Sequence, residues 1–266
     1  MGGGSYDTLS ARTRSTTYYS KMSREEVFSQ KHMDPEMNPH GVKYRESCDS
    51  DEHPESYPII IALDETGSMG QIPEYLIKKT FPDIMQKIMD SGIPNPQVCF
   101  VGIGDASYRE EAPLQIGQFE SSDELMEKWL QKIYLEGLGG GNMGESYNLA
   151  WYFAARHTRT DSFDKRHMKG CLITIGDEPC LKHIGKSAIS RYIGDSVQDD
   201  ILTSEILKEA KEKWNVYHIH VNHGGYSFDE TNWPELLGIN AVESSTDNIS
   251  NVIPKLVKIS FDSEKN

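Results

Sequence analysis

Three oxygen-bearing side chains at alternate positions, Asp64, Thr66 and Ser68, follow directly on the apolar run IIIAL in the stretch IIIALDETGSMG, residues 59–70. Gly67 and Gly70 loosen the backbone around them. Such oxygens suit a phosphate, an activated nucleophile or a cation. Two more aspartates end apolar runs in the same way, Asp105 after CFVGIG and Asp177 after LITIG. Carboxylates gathered at one place repel each other and lose hydration, and a bound cation relieves both costs. Oxygen donors with no Cys or His among them suit a hard ion, magnesium first and manganese second. One aspartate alone reads as a helix cap or turn residue. Together with Thr66 and Ser68, that explanation loses ground.

Four catalytic or nucleotide-binding motifs fail on the same residues. A nucleophile elbow needs G-x-S-x-G, and Thr66 stands two residues before Ser68. A phosphoaspartate phosphatase of the haloacid dehalogenase type wants D-x-D-x-T, and Thr66 occupies the place of the general acid. GGGNMG (139–144) matches G-x-G-x-x-G, yet it follows a helical pattern instead of a strand. GGGNMGES (139–146) has Walker A spacing, but Glu145 replaces the lysine, an anion for a cation.

The elements that must position these residues alternate from residue 57 onward. Buried strands are expected at 57–63, 97–105, 170–179 and 215–225, with a short edge strand at 112–119. Helices are expected at 72–92 (interrupted by Pro82), 121–137, 145–158, 201–214 and 248–261, the last accommodating Pro254. Wholly apolar strands separated by helices predict a doubly wound α/β domain: a mainly parallel central sheet flanked by helices, with one short antiparallel edge strand. In such sheets ligands bind beyond the carboxyl ends of the strands, where Asp64, Asp105 and Asp177 fall.

Residues 1–56 read differently, as a polar N-terminal extension, partly disordered or draped on the core, with the domain proper at 57–266. Within it SREEVFSQ carries a capping signature, Ser23 followed three residues on by Glu26. The start, MGGGSYDTLSARTR, has no apolar stretch of the secretory kind, and Tyr6 stands where an N-myristoylation signal wants Ser or Thr. No run approaches the roughly 18 apolar residues that span a bilayer. A net charge of −14 argues against nucleic acid and anionic membrane as partners. The four cysteines show no C-x-x-C spacing, and a reducing, cytoplasmic setting is expected.

With those residues assembled, the chain resembles the von Willebrand factor A (vWA) family, in a prokaryotic or phage-like intracellular form. The family's metal-ion-dependent adhesion site, or MIDAS, uses D-x-S-x-S after the first strand. Asp64, Thr66 and Ser68 match it as DETGS, Asp177 in TIGDEP matches its later aspartate, and GGGNMGES resembles its glycine-rich loop. The likeness spans about residues 57–262. It implies metal ligation by Asp64, Thr66, Ser68, Asn142 and Asp177. Asn142 departs from the usual Thr or Asp: either it ligates through its amide oxygen or Ser146 substitutes for it. The resemblance implies a Mg2+-dependent interaction module, not an enzyme, whose ion accepts an Asp or Glu of a partner protein, an AAA+ ATPase or another multi-protein complex. The competing expectations are a metal-dependent hydrolase using the same carboxylates and a structural or virion-associated protein with a degenerate site.

Glu145, Glu178 and Asp105 are expected around the ion, holding its waters or shaping loops. His218 and His220 share one strand face; a zinc site is conceivable, but packed, hydrogen-bonded imidazoles are the plainer reading. His223, near the end of that strand, is expected to border the site. Tyr6, Tyr18, Tyr19 and Tyr44 are candidate anchors for the extension, on this domain or on a partner.

Overall fold

The run YPIIIALD is buried at every position, because it has a strand on each edge and helices on each face. Tyr57, Ile59, Ile61 and Leu63 enter one hydrophobic cluster, whereas Ile60 and Ala62 enter the other. That period of two on a doubly covered strand explains why the sequence is apolar throughout and does not alternate.

The computed structural model describes residues 4–67, 69, 71–108, 110–137, 144–222 and 226–265. The N-terminal segment forms α1 (Thr8–Thr17), α2 (Arg24–Val27) and β1 (Arg45–Ser47). There follow β2 (Tyr57–Asp64), α3 (Gln71–Tyr75), a π-helical turn over Leu76–Thr80, α4 (Phe81–Asp90) and β3 (Pro96–Ile103). The middle of the chain holds β4 (Leu114–Ile116), α5 (Asp123–Gln131), α6 (Tyr147–Arg156), β5 (Thr158–Thr160), α7 (Asp161–Arg166) and β6 (Gly170–Gly176). The remainder holds β7 (His183–Ile184), α8 (Lys186–Ala188), β8 (Ile201–Leu202), α9 (Thr203–Lys213), β9 (Trp214–Val221), α10 (Trp233–Leu237), β10 (Ala241–Ser244) and α11 (Ile249–Ser263).

The main sheet runs β10-β9-β6-β2-β3-β4, parallel except for β4, which is antiparallel to β3 at one edge. This is the expected doubly wound sheet with its single antiparallel edge strand. Helices α4 and α11 cover one face, with Ile84, Ile88, Ile253 and Val257. The other face is covered by α6 and α9, with Leu149, Phe153, Ile206 and Ala210. Register decides where the site forms. Leu63 pairs with Ile175 and Asp64 with Ile103, so β2, β3 and β6 end level at one rim.

Several elements depart from the sequence expectation. The helix expected at 72–92 runs without a gap from Gln71 to Asp90, and the irregularity expected at Pro82 takes the form of the π turn over Leu76–Thr80 just before it. The helix expected to reach 137 ends at Gln131, and the last long strand ends at Val221. Strand β10, only four residues long, was not anticipated. Pro254 lies inside α11 and cannot donate to the Ser250 carbonyl; Lys87 Nζ donates to that oxygen instead, at 3.3 Å.

Residues 4–56 lie along the domain. Arg14 of α1 donates to Glu127 of α5 at 2.7 Å and also pairs with Asp123, while the Tyr19 hydroxyl donates to Glu127 at 3.0 Å. Ser23 and Glu26 form the capping box that the sequence suggested. Tyr6 packs edge-on against Phe81, and Tyr44 lies under the Arg159 guanidinium. Strand β1 pairs in parallel with β5, outside the main sheet. Among the described residues no helix is long and apolar enough to cross a membrane.

Candidate metal centre

Asp64 is the last residue of β2 and is wholly buried. Its Oδ1 accepts from the Thr66 amide at 2.9 Å and from the Thr66 hydroxyl at 2.6 Å. Its Oδ2 accepts from the Tyr147 hydroxyl at 2.6 Å. Because the Thr66 proton points to Asp64, the lone pairs of that hydroxyl remain available to a cation. A Cβ added to Gly67 would lie 3.4 Å from the Gly137 carbonyl, so Gly67 sits close against Gly137. Ser68, Asn142 and His223 lie outside the described residues.

Asp177 follows β6 and is buried, with Glu178 beside it half-buried. Gly176, just before, has to be glycine: an added Cβ would stand 1.8 Å from the Tyr147 hydroxyl oxygen and 2.9 Å from Asp64 Oδ2. The third aspartate, Asp105, begins the loop after β3. Its Oδ1 accepts from the Ser107 amide at 2.8 Å and the Ser107 hydroxyl at 2.7 Å, bonds local to its own loop. Its own amide donates to Glu110 Oε2 at 2.6 Å.

Backbone and side-chain bonds join these segments. The Ala106 amide donates to Ser146 Oγ at 2.9 Å, and the Ser146 amide donates to the Gly104 carbonyl at 3.1 Å. The Glu145 amide donates to the Pro179 carbonyl at 2.9 Å, and Leu181 donates back to the Glu145 carbonyl at 3.1 Å. The rim therefore brings together Asp64, Thr66, Asp105, Glu145, Ser146 and Asp177 with Glu178.

The electrostatics are those of crowded, dry carboxylates. Burial, with the Asp177 charge adding, pushes Asp64 up to about 6 against the bonds from Thr66 and Tyr147. Burial, then the charges of Asp64, Glu110 and Asp105, drives the Glu145 carboxyl far up. Burial and the neighbouring Asp177 and Asp64 charges raise Glu178 to about 7. Glu145 Oε2, Glu178 Oε2 and Asp105 Oδ2 are buried without a hydrogen-bond partner. Orphaned acceptors in a cluster of acids are the pattern a cation would satisfy. Among the described residues no three His, Cys, Asp or Glu side chains converge closely enough to hold a metal by themselves. A cation here would thus depend on hydroxyl oxygens as well, as the D-x-T-x-S spacing implies. The donor set, all oxygen, fits a hard ion.

Three participants escaped sequence reasoning. Tyr147 lies on α6, where it reads as core. Glu65 and Glu110 are buried acids whose space comes from glycines: a Cβ on Gly102 would meet Glu65 Oε2 at 2.8 Å, and one on Gly104 would meet Glu110 Oε2 at 2.1 Å. The G-x-G pair in CFVGIGD was the available signal. His218 is packed, its ring stacked 3.5 Å from Trp233 and its Nδ1 2.9 Å from the Thr174 hydroxyl. His220 Nε2 lies 3.2 Å from the Tyr226 carbonyl. A cleft of about 1010 Å³ opens beside the rim, lined by Ala106, Ser107 and Ser146 and by Lys182, Thr231 and Asn232 among others.

No protein-family model matches the chain, and no curated protein matches it. Solved structures do. The pilus adhesin SpaC of Lactobacillus rhamnosus GG, in its open conformation, is 11% identical over 82% of this chain and 31% of its own, with a TM-score of 0.50. Proximal thread matrix protein 1 from the mussel byssus is 15% identical over 77% of this chain and 46% of its own, with a TM-score of 0.48. A von Willebrand factor type A protein from Catenulispora acidiphila is 12% identical over 78% and 43%, with a TM-score of 0.42. The chain spans about a third to a half of the length of these proteins. At such identities the likeness is one of fold alone, and the helix-flanked, mainly parallel sheet with one antiparallel edge pair is consistent with the vWA fold.

Proposed function

We propose that this chain is a vWA-type interaction module that binds Mg2+, or Mn2+, and through it an acidic side chain of a partner protein. The observation that carries the reading is the Asp64–Thr66 pair: a buried carboxylate that receives a hydroxyl proton at 2.6 Å and so leaves the hydroxyl oxygen free for an ion. Asp64, Thr66 and Asp177 would hold the ion, with Ser68 and Asn142 completing the set and Glu145, Ser146, Glu178 and Asp105 holding its waters and loops. Bound there, the ion would supply an electrophilic coordination position. Few direct anionic ligands keep it attractive to an outside carboxylate, and it would place a local positive charge on a chain of net charge −14. Binding is favoured over turnover because Asp64, the obvious nucleophile, has hydrogen bonds on both oxygens. The partner class is a protein presenting Asp or Glu, in a cytoplasmic assembly such as one built on an AAA+ ATPase.

The test is thermal unfolding with and without Mg2+, for wild type and Asp64→Ala. Saturation at 100 times the dissociation constant would stabilise the wild type by about 2.7 kcal/mol, and Asp64→Ala not at all. Equal melting temperatures for the wild type in Mg2+ and in EDTA would refute the reading. Pull-downs with and without EDTA then identify partners whose capture depends on the ion.

A further inference from the structure

His157 follows the last residue of α6, and each of its ring nitrogens faces an oxygen that can only accept. Nδ1 lies 2.9 Å from the Val42 carbonyl and 3.2 Å from that of Lys43. Nε2 lies 2.8 Å from Asp195 Oδ2. The same Oδ2 accepts from the Tyr152 hydroxyl at 2.7 Å, and Arg156 donates to the Tyr152 oxygen at 3.2 Å. Burial would raise the Asp195 carboxyl, but the bonds from Tyr152 and His157 outweigh it and hold the group below the usual carboxylate range. Asp195 is thus a carboxylate with no proton to lend. A neutral imidazole has one N–H and one bare lone pair, so it can satisfy one of these two contacts and not the other. The imidazolium satisfies both.

Three segments meet at this ring. Val42 and Lys43 belong to the N-terminal segment, Tyr152 and His157 to α6 and its end, and Asp195 follows a second π turn, over Ile189–Ile193. The main chain makes the same joint: the Arg45 amide donates to the His157 carbonyl at 2.9 Å, and the Gly41 amide to the Ile193 carbonyl at 2.9 Å. The ring is buried and stacks on Phe153 at 5.2 Å and Tyr152 at 6.1 Å, aromatic faces that suit a cation. The other charged and titratable groups around it are accounted for. Arg156 is paired with Glu209 at 2.8 Å, and the Lys43 ammonium lies over the Tyr44 ring. The His40 ring sits against Gly194, beside Asp195.

We propose that His157 is a proton-operated latch that fastens the N-terminal segment, through Val42 and Lys43, to the end of α6. The helix carries Tyr147 of the rim at its start, so ten residues, about 15 Å, separate the latch from the metal centre. The latch is closed when Asp195 is ionised and the ring is protonated. A docked form that holds a proton weakens as pH rises and the ring gives that proton up. Asp195 sets the acid limit: its folded value is depressed, so its contribution is lost as pH falls through that value.

The experiment follows the full chain by NMR from about pH 5.5 to 8.5, the range in which imidazoles ordinarily titrate. It reads the ring nitrogen shifts of His157 and the hydrogen-exchange protection of the Gly41 and Arg45 amides, corrected for the intrinsic rate at each pH. The proteins are wild type, His157→Gln and Asp195→Asn. In wild type both ring nitrogens should be protonated at the acid end, and protection should fall about tenfold toward the alkaline end, the effect of one bond to a charged group. His157→Gln has no proton to lose there, and the Asp195→Asn amide can donate to a neutral ring. Both should therefore lose the pH dependence. A merely structural role would lower protection by the same factor at every pH. A bare ring nitrogen at the acid end, flat wild-type protection, or a pH dependence that survives in His157→Gln would each overturn the latch. Should His157→Gln not fold, the ring shifts and protection of wild type and Asp195→Asn decide.

Discussion

At the scale of single residues, the rim is organised by what glycine leaves out. Gly102, Gly104 and Gly176 each yield a Cβ's volume to a side chain of the site: Glu65, Glu110 and Tyr147 respectively. Gly104 gives the cleanest prediction. Gly104→Ala should cost about 1–3 kcal/mol by chemical denaturation, because its Cβ would stand 2.1 Å from Glu110 Oε2 and expel the acceptor of the Asp105 amide. Combined with Glu110→Ala, the cost should be clearly less than the sum of the two singles. Strict additivity would mean that the clash is not the cause. Asp64, Thr66 and Asp177 were legible in the sequence because oxygen side chains at the end of an apolar run have few other uses. Tyr147 was not: an aromatic in YNLAWYF reads as core, and it is core, apart from one hydroxyl whose partner is 83 residues away in sequence.

At the scale of elements, the strands were readable and the boundaries were not. Four long apolar runs became β2, β3, β6 and β9, because burial on both faces imposes composition over seven or eight residues. Strand β10, with one free edge and two half- or fully exposed positions, carries no such constraint and passed unseen. Helix α11 shows how a local rule is broken with help from elsewhere. Pro254 frees the Ser250 carbonyl, and Lys87 of α4 supplies the donor. Lys87→Met should therefore cost about 0.5–1.5 kcal/mol beside Pro254. In a Pro254→Ala background, where an alanine amide restores the helical bond, it should cost markedly less. A double-mutant cycle in urea measures the difference, and a coupling of zero would show that Lys87 does not serve the broken turn.

At the scale of the whole molecule, the polar N-terminal segment is tied to the domain by charge as much as by apolar contact. Asp49 is the clearest tie. Burial alone would raise its carboxyl, but bonds from Arg166 at 2.6 Å and from the Ser56 amide and hydroxyl outweigh it and hold the group well below the usual carboxylate range. A folded value below the unfolded one means that the group stabilises the protein above the unfolded value, near 3.9, and that this stability is lost as pH falls through the folded value. Asp49→Asn should therefore cost about 1–3 kcal/mol at pH 7, with the gap to wild type closing as pH falls from about 4 to 2. A gap that does not depend on pH would assign the loss to packing. The same arrangement bears on where the molecule can be cut. A gene fragment beginning at Tyr57 would encode every oxygen of the rim. It would also strip the guanidinium of Arg14 from Asp123 and Glu127 and uncover the apolar surface beneath Tyr6, Tyr19, Phe28 and Met37. For anyone expressing the protein, the shortest piece that contains the motif is not the shortest piece that should stay in solution.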